Sequence, residues 1–254
     1  MISTILYHYP LCPFCRKIRV MLAEKECLFE PNDENIPINL FGEAPLEQPP
    51  ILIDVTEQRD EEGNVKKDRE GNALYQDNYI FDYEVIAEYI DEKYPTPPLM
   101  GNDVLKRAEI RRLCRWFDEK FYSEVSGIIL QEKLAKRLRN ESPDSRRLES
   151  ARKNLKDHLF YISHLLRKND RLLSSGLSNN ITMADITAAA HLSVLDYFGD
   201  INWNGDKEKN VIDYTLIRDW YARIKSRQSF RPLLSDRVMR VPPYSADYSK
   251  LDFG

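Results

Sequence analysis

The sequence predicts an α/β domain followed by an all-α domain, an α/β plus all-α class, and three observations predict it. The first part alternates β-rich and helix-periodic stretches in the order βαβ–ββα. A junction follows with prolines at 95, 97 and 98. Beyond it every long stretch carries helical periodicity. The boundaries drawn from this are residues 1–94, a linker at 95–102, and 103–254.

The front elements follow in order. "TILYHY" (4–9) is a short β-rich run, and "CRKIRVMLAEKE" (15–26) places Ile18, Met21, Leu22 and Lys25 on one side of a helix. "CLFEPN" is a second strand candidate. "PPILIDV" is a third, opened by two prolines and closed by Asp54. "NALYQDN" (72–78) is a weaker fourth strand. "DYEVIAEYIDEKYP" is a helix, apolar at Val85, Ile86, Tyr89 and Ile90, that ends before Pro95. Between the third and fourth strands, "TEQRDEEGNVKKDREGN" holds Gly-Asn pairs at 63–64 and 71–72, which suits a solvated hairpin extension.

The back elements are longer. Residues 104–138 read as one amphipathic helix with Leu105, Ala108, Leu113, Trp116, Phe117 and Phe121 on its apolar face. "DSRRLESARKNLKDHLFYISHLLRKN" is the next helix. "NNITMADITAAAHLSVLDYF" is a third, started by a Thr182–Asp185 capping box with Ile181 and Ile186 placed for a hydrophobic staple. "IDYTLIRDWYARIKSR" is a fourth, and the proline-punctuated tail from Pro232 reads as extended.

Composition excludes several classes. The chain has 254 residues, 42% hydrophobic and 31% charged, with no apolar run of the roughly 18–20 residues that membrane insertion requires. The first ten residues lack the basic and apolar regions of a secretory leader, so the cytoplasm is the expected location. Cys27 and Cys114 stand in apolar contexts as small core residues. Residues 1–98 carry 9 Lys+Arg against 20 Asp+Glu, leaving 28 against 21 in the remainder. Residues 103–170 alone hold 17 Lys+Arg against 11 Asp+Glu, a basic region suited to an acidic partner. No groove-reading motif accompanies that charge, so nucleic acid is not the expected partner.

The Cys12-Pro-Phe-Cys15 stretch carries the candidate chemistry. Cys12 follows a strand and precedes a helix, so unpaired N–H groups and the helix dipole favour its thiolate, with Arg16 and Lys17 adding positive charge. From a reference near 8.5 its pKa should move down. Zinc fits poorly, because tetrahedral zinc wants four ligands, no second Cys/His pair is close, and strand alternation turns His8 away from Cys12. Thiol chemistry and a purely structural role both remain open.

These features resemble a known family. A βαβ–ββα domain with Cys-Pro-Phe-Cys at its first helix resembles glutaredoxin. With the helical domain it resembles the glutathione S-transferase superfamily, a thioredoxin-like domain followed by a glutathione-transferase-type helical bundle. "PPIL" resembles the superfamily's cis-proline turn, with Pro50 cis. "FDYEVIAEYIDEKYP" resembles its acidic-Ser helix start, and "ITMADI" its helical-domain capping box. The resemblance implies Cys12 and Cys15 as catalytic thiols, and Cys12, Phe14, Pro49, Pro50, Asp82 and Tyr83 as glutathione contacts. It also implies glutathione as the ligand and a homodimer. Two positions depart from it: Pro49 has no N–H for the ligand's backbone, and Tyr83 stands where a small Ser normally holds the γ-glutamyl carboxylate. Weak glutathione binding is therefore the expectation.

A narrower resemblance covers residues 104–253. "RAEIRRLCRWFDEKFYSEV", "AAAHLSVLDYFGDINW", "DWYARIKSRQSFRPLLSDRV" and "YSKLDF" are similar to the GST-like cell-division proteins of alphaproteobacteria, which bind filaments of the tubulin homologue FtsZ. That resemblance implies an FtsZ-type filament partner in place of transferase turnover. His191, Asp196, Tyr197 and Trp203 lie in these stretches, and singly each also reads as a core or loop residue.

Overall fold

The computed structural model describes residues 4–32, 49–169, 181–203, 212, 214–238, 241 and 243. The chain forms two compact units, Met1–Pro97 and Pro98–Gly254. The tail stretch "YSKLDF" falls outside the described residues.

The first unit is a thioredoxin-like α/β fold. Its elements are β1 (Thr4–Tyr7), α1 (Pro13–Glu24), β2 (Glu30–Asn32), β3 (Ile51–Glu57), β4 (Tyr75–Phe81) and α2 (Tyr83–Lys93). The strand order is β2-β1-β3-β4, with β1 and β2 parallel and the other two pairs antiparallel. Alternation along the strands sends Leu6 and Leu52 to one face of the sheet. Tyr7, Ile51 and Ile53 cluster on the other, with Ile5, Val55 and Phe81 packed against them. Burial on both faces explains why "ILI" is continuously apolar instead of alternating.

Several boundaries differ from the expected ones. β3 continues through Asp54 to Glu57, and Asp54 is buried because the Tyr89 hydroxyl and the Lys93 ammonium of α2 both donate to its carboxylate. The fourth strand is Tyr75–Phe81, set three residues beyond the predicted start, because the insertion before it folds on itself. There Lys66 N–H donates to Gln58 O (2.8 Å), Leu74 N–H to Lys66 O (2.9 Å) and Gln58 N–H to Leu74 O (2.8 Å), closing two short hairpins into one knot. Gly63 and Gly71, at φ 87° and 89°, supply the left-handed turn residues. On α2, Val85 is exposed instead of apolar core.

Lys25 ends the α1 stripe as a buried cation. Its ammonium donates to Asp91 Oδ1, Tyr94 O and Pro97 O, each at 2.6 Å, so all three of its N–H donors are used. Cys27 is half-buried, not core. It lies 3.8 Å from Thr4 Oγ1, and its neighbour Tyr94 has its hydroxyl pushed up to about 12, chiefly by burial.

The second unit is a helical bundle. α3 (Val104–Arg115) runs directly into a π-helical stretch, Trp116–Ser126, then α4 (Gly127–Ile129), a second π-helical stretch, Leu130–Ala135, and α5 (Lys136–Leu138). α6 (Ser145–Lys168), α7 (Met183–Phe198), α8 (Tyr214–Lys225) and α9 (Arg231–Leu234) follow. The short α9 interrupts the tail that the sequence suggests is extended. Leu105 and Ala108 are exposed, so the buried face of α3 starts at Ile110 and continues through Leu113, Phe117 and Phe121. Phe117 and Phe121 keep the face that the 3.6-residue period assigns them, and the stretch that carries them is π-helical, with i→i+5 bonding. Gly127 marks this geometry. Its N–H donates to Tyr122 O five residues back, and a Cβ there would meet that oxygen at 2.7 Å.

α7 is the central helix. Every residue from Met183 to Phe198 except Asp196 is buried, and its start matches expectation: Asp185 Oδ2 accepts from Thr182 N–H (3.0 Å) and from the Thr182 hydroxyl (2.9 Å). Asp185 also accepts from Trp220 Nε1 at 3.0 Å, which ties the cap to α8. No described helix is long and apolar enough to cross a membrane.

Candidate thiol site at the head of helix α1

Cys12 is the N-cap of α1. Its carbonyl accepts from Arg16 N–H (2.9 Å) and its N–H donates to Tyr9 O (3.1 Å), which closes the turn between strand and helix. Pro13 occupies the first helical turn, where its missing N–H costs nothing. Arg16, buried, donates from Nε to Pro10 O at 2.7 Å and pins the same turn. These local bonds fix where the Cys12 sulfur sits.

The two cysteines, both free thiols, are made unequal by their surroundings. Cys12, half-buried, has its pKa lowered: the Cys15 thiol donates to its sulfur, the backbone N–H groups of Cys15 and Phe14 favour its anion, and Lys17 adds positive charge, all against a burial penalty. Cys15, fully buried, is pushed well above the usual thiol range, first by burial and then by its bond to Cys12 and that sulfur's charge. Tyr9 N–H points at the Cys15 sulfur from 3.4 Å. The arrangement favours the anion on Cys12 and the retained proton on Cys15, a nucleophile with a thiol beside it.

The glutathione contacts implied by resemblance divide. Pro49–Pro50 is cis, as expected. Because Tyr7 pairs with Ile51, that bond lies at the same end of the sheet as the Cys12 turn. Phe14 and Tyr83 do meet: their rings stack at 4.5 Å and 16°, and the Lys17 ammonium lies 4.0 Å from the Tyr83 ring centroid. Lys17 is buried, so it is more than a nearby charge. Its place on the inward side of α1, between Pro13 and Met21, was the available signal.

Asp82 adds a further obstacle to a ligand carboxylate. It caps α2 from a positive φ of 68°, and its own carboxylate accepts from Glu84 N–H (2.7 Å) and Val85 N–H (3.3 Å). Two N–H donors that suit an anion at this helix start are thus taken by the chain itself. Among the described residues, no group of three or more His, Cys, Asp or Glu side chains is arranged to hold a metal ion.

The residues singled out in the helical unit have structural partners. His191 Nδ1 lies 2.8 Å from Ser126 Oγ, and its Nε2 lies 3.2 Å from Asp118 Oδ1, all three buried. Since a carboxylate only accepts, Nε2–H donates to Asp118, and Nδ1 is left to pair with the Ser126 hydroxyl. Asp196 accepts from Trp203 Nε1 (3.0 Å) and Lys225 (3.0 Å), and Trp203 stacks on Tyr221 at 5.1 Å. The Tyr197 hydroxyl donates to Val241 O. Asp196 and Tyr197 therefore tie the end of α7 to α8 and to the segment beyond α9.

No protein-family model matches the chain. FtsZ-localized protein A of Caulobacter vibrioides is 38% identical over 256 residues, covering 99% of each chain. The structure titled FzlA from C. crescentus superposes with a TM-score of 0.76 at 36% identity, over 99% of this chain and 100% of that one. A glutathione S-transferase from Rhodospirillum rubrum F11 gives 0.74 at 38% identity, over 98% and 100%.

Proposed function

The chain belongs to the glutathione S-transferase superfamily, and from that premise we propose that it acts in the cytoplasm as a GST-like, FtsZ-associated cell-division protein. The observation that carries this reading is the end-to-end likeness to FtsZ-localized protein A, which spans both units. Glutathione is at most a weak ligand. Pro49 lacks an N–H, Tyr83 fills the place of a small hydroxyl, and Asp82 occupies its own helix start. A missing hydrogen bond weakens binding by about 0.5–1.5 kcal/mol, so losses of this kind amount to roughly tens to hundreds of fold in affinity.

The decisive experiment is co-sedimentation with FtsZ polymers, run beside retention on glutathione resin and conjugation of a generic electrophile. Pelleting at low salt, poor retention and little turnover support the reading. Binding should weaken as salt rises, because exposed opposite charges are screened. Robust turnover with no pelleting would overturn it. The double variant Pro49→Val, Tyr83→Ser should raise glutathione affinity and leave FtsZ binding unchanged.

A second reading is favoured by the lowered pKa of Cys12. In a thiol-reductase cycle Cys12 attacks a glutathione mixed disulfide and the released thiolate takes a proton. Cys15, once deprotonated, attacks the Cys12 sulfur and expels glutathione, leaving a Cys12–Cys15 disulfide for a second dithiol to reduce. We also propose a homodimer that covers exposed apolar side chains such as Val104 and Leu105, each more than four-fifths exposed. Light scattering tests it, with Leu105→Glu as the variant expected to be monomeric.

A further inference from the structure

We propose that the outer face of α6 is a docking surface for an acidic protein segment that carries an apolar side chain; this rests on the FtsZ reading above. The helix holds seven Lys or Arg residues against two acidic ones, Glu149 and Asp157. Its inner face is the core stripe Leu148, Ala151, Leu155, Leu159, Ile162 and Leu166. Arg147 pairs with buried Glu132 at 2.7 Å and Arg152 with buried Asp200 at 3.0 Å.

The opposite face carries a different set. Arg146, Lys153, Lys156, Phe160, His164 and Arg167 recur at helical spacing and are all exposed. Phe160 stands near the middle with 47% of its surface in water. A lone exposed aromatic is ordinary on a protein surface. Its setting here is not. Helical spacing puts Lys156 and His164 one turn to either side of it and Lys153 and Arg167 about two turns away. An aromatic anchor flanked by basic side chains is the composition of an interface centre and rim. The basic edge of α3 adjoins this face, where Arg112 donates to the Tyr161 hydroxyl at 3.1 Å. Glu149 and Asp157 lie within the stripe and disfavour a continuous phosphate backbone, whereas a protein segment can meet the cations with carboxylates and Phe160 with an apolar side chain.

The test is co-sedimentation with FtsZ polymers across a salt series. Three variants are compared with the wild type: the triple reversal Lys153→Glu, Lys156→Glu, Arg167→Glu; Phe160→Ala; and a control, Lys66→Glu, Lys67→Glu, Arg69→Glu in the hairpin insertion. The control changes net charge by the same amount elsewhere. Thermal melts and circular dichroism confirm folding, which these exposed positions should not disturb. The triple reversal is expected to weaken binding by roughly tenfold or more and Phe160→Ala by about fivefold, with the control within about twofold. If the wild type pellets and the α6 variants pellet equally well, the docking face is overturned while the FtsZ reading stands. If the control loses as much as the triple reversal, bulk charge is responsible and the face is again overturned. If the wild type does not pellet at low salt, both fall. Loss of binding to a single-stranded oligonucleotide in the triple variant, with FtsZ binding intact, likewise overturns the assignment.

Discussion

The head of α1 and the heart of the helical bundle both assemble residue types that chemistry uses. At the head of α1, a half-buried Cys12 has its anion stabilised by Cys15, by helix N–H groups and by Lys17. In the bundle, Ser126, His191 and Asp118 line up at 2.8 and 3.2 Å, an order familiar from nucleophilic catalysis, but all three are sealed from solvent. The difference teaches that access decides between reactivity and stability. The constellation with one half-buried sulfur can attack something, and the fully sealed one can only satisfy itself and hold helices together.

The largest expected effect breaks the sealed member of the pair. His191→Ala removes a ring and two hydrogen bonds from a closed core, so it should cost about 2–4 kcal/mol. Cys12→Ser, by contrast, should cost less than about 1 kcal/mol. Urea denaturation measures both, and equal midpoints would refute the contrast. Gly127→Ala is next. Alanine in an ordinary helix gains about 1 kcal/mol over glycine, but here the added Cβ meets Tyr122 O at 2.7 Å. A net loss of about 1–3 kcal/mol is expected, and a gain would mean that the π-helical turn relaxes freely.

The pH response sharpens the comparison, because Cys15 and His158 contribute to stability with opposite pH dependence. Cys15 is raised in the folded state, so its contribution is complete below the ordinary thiol pKa of about 8.5 and is lost as pH rises above it. His158 is lowered, chiefly by burial, so its contribution is complete above an unfolded value near 6.5 and is lost as pH falls below it. Each proton gives a slope of at most about 1.4 kcal/mol per pH unit. Denaturation of Cys15→Ala at pH 9–10 and of His158→Gln at pH 5–6.5 should show the respective slopes flattened. Cys12 should be alkylated by iodoacetamide with a midpoint below that of a free thiol, and Cys15→Ala should raise that midpoint by removing the thiol donor. Equal labelling of all four cysteines at pH 6.5 would contradict the assignment.

A small effect belongs to the aromatic stack. Tyr83→Ser should cost about 0.5–1.5 kcal/mol by removing the face on which Phe14 and Lys17 rest. A thermal melt reads it, and no change would mean that the stack is incidental.

Much of the fold was legible because its signals are local. The βαβ–ββα order follows from hydrophobic period, the Thr182–Asp185 box from residues three apart, and the start of α1 from Cys12 and Pro13 beside each other. Those interactions lie within one turn of chain, so sequence spacing determines them. Resemblance supplied the cis Pro50 turn and the candidate glutathione contacts. What spacing did not reveal joins distant parts of the chain. Lys25 meets Asp91, Asp54 is reached by Tyr89 and Lys93, Tyr83 lies on Phe14, and His191 bridges Ser126 to Asp118. Leu105 reads as core by period and is exposed, while Lys25 falls on the apolar side of its helix by spacing and its charge is buried against Asp91. A charge, a ring or a hydroxyl carries no record of its partner in the residues beside it. Only the packed sheet and bundle, which close long loops and expel water, decide which of them meet.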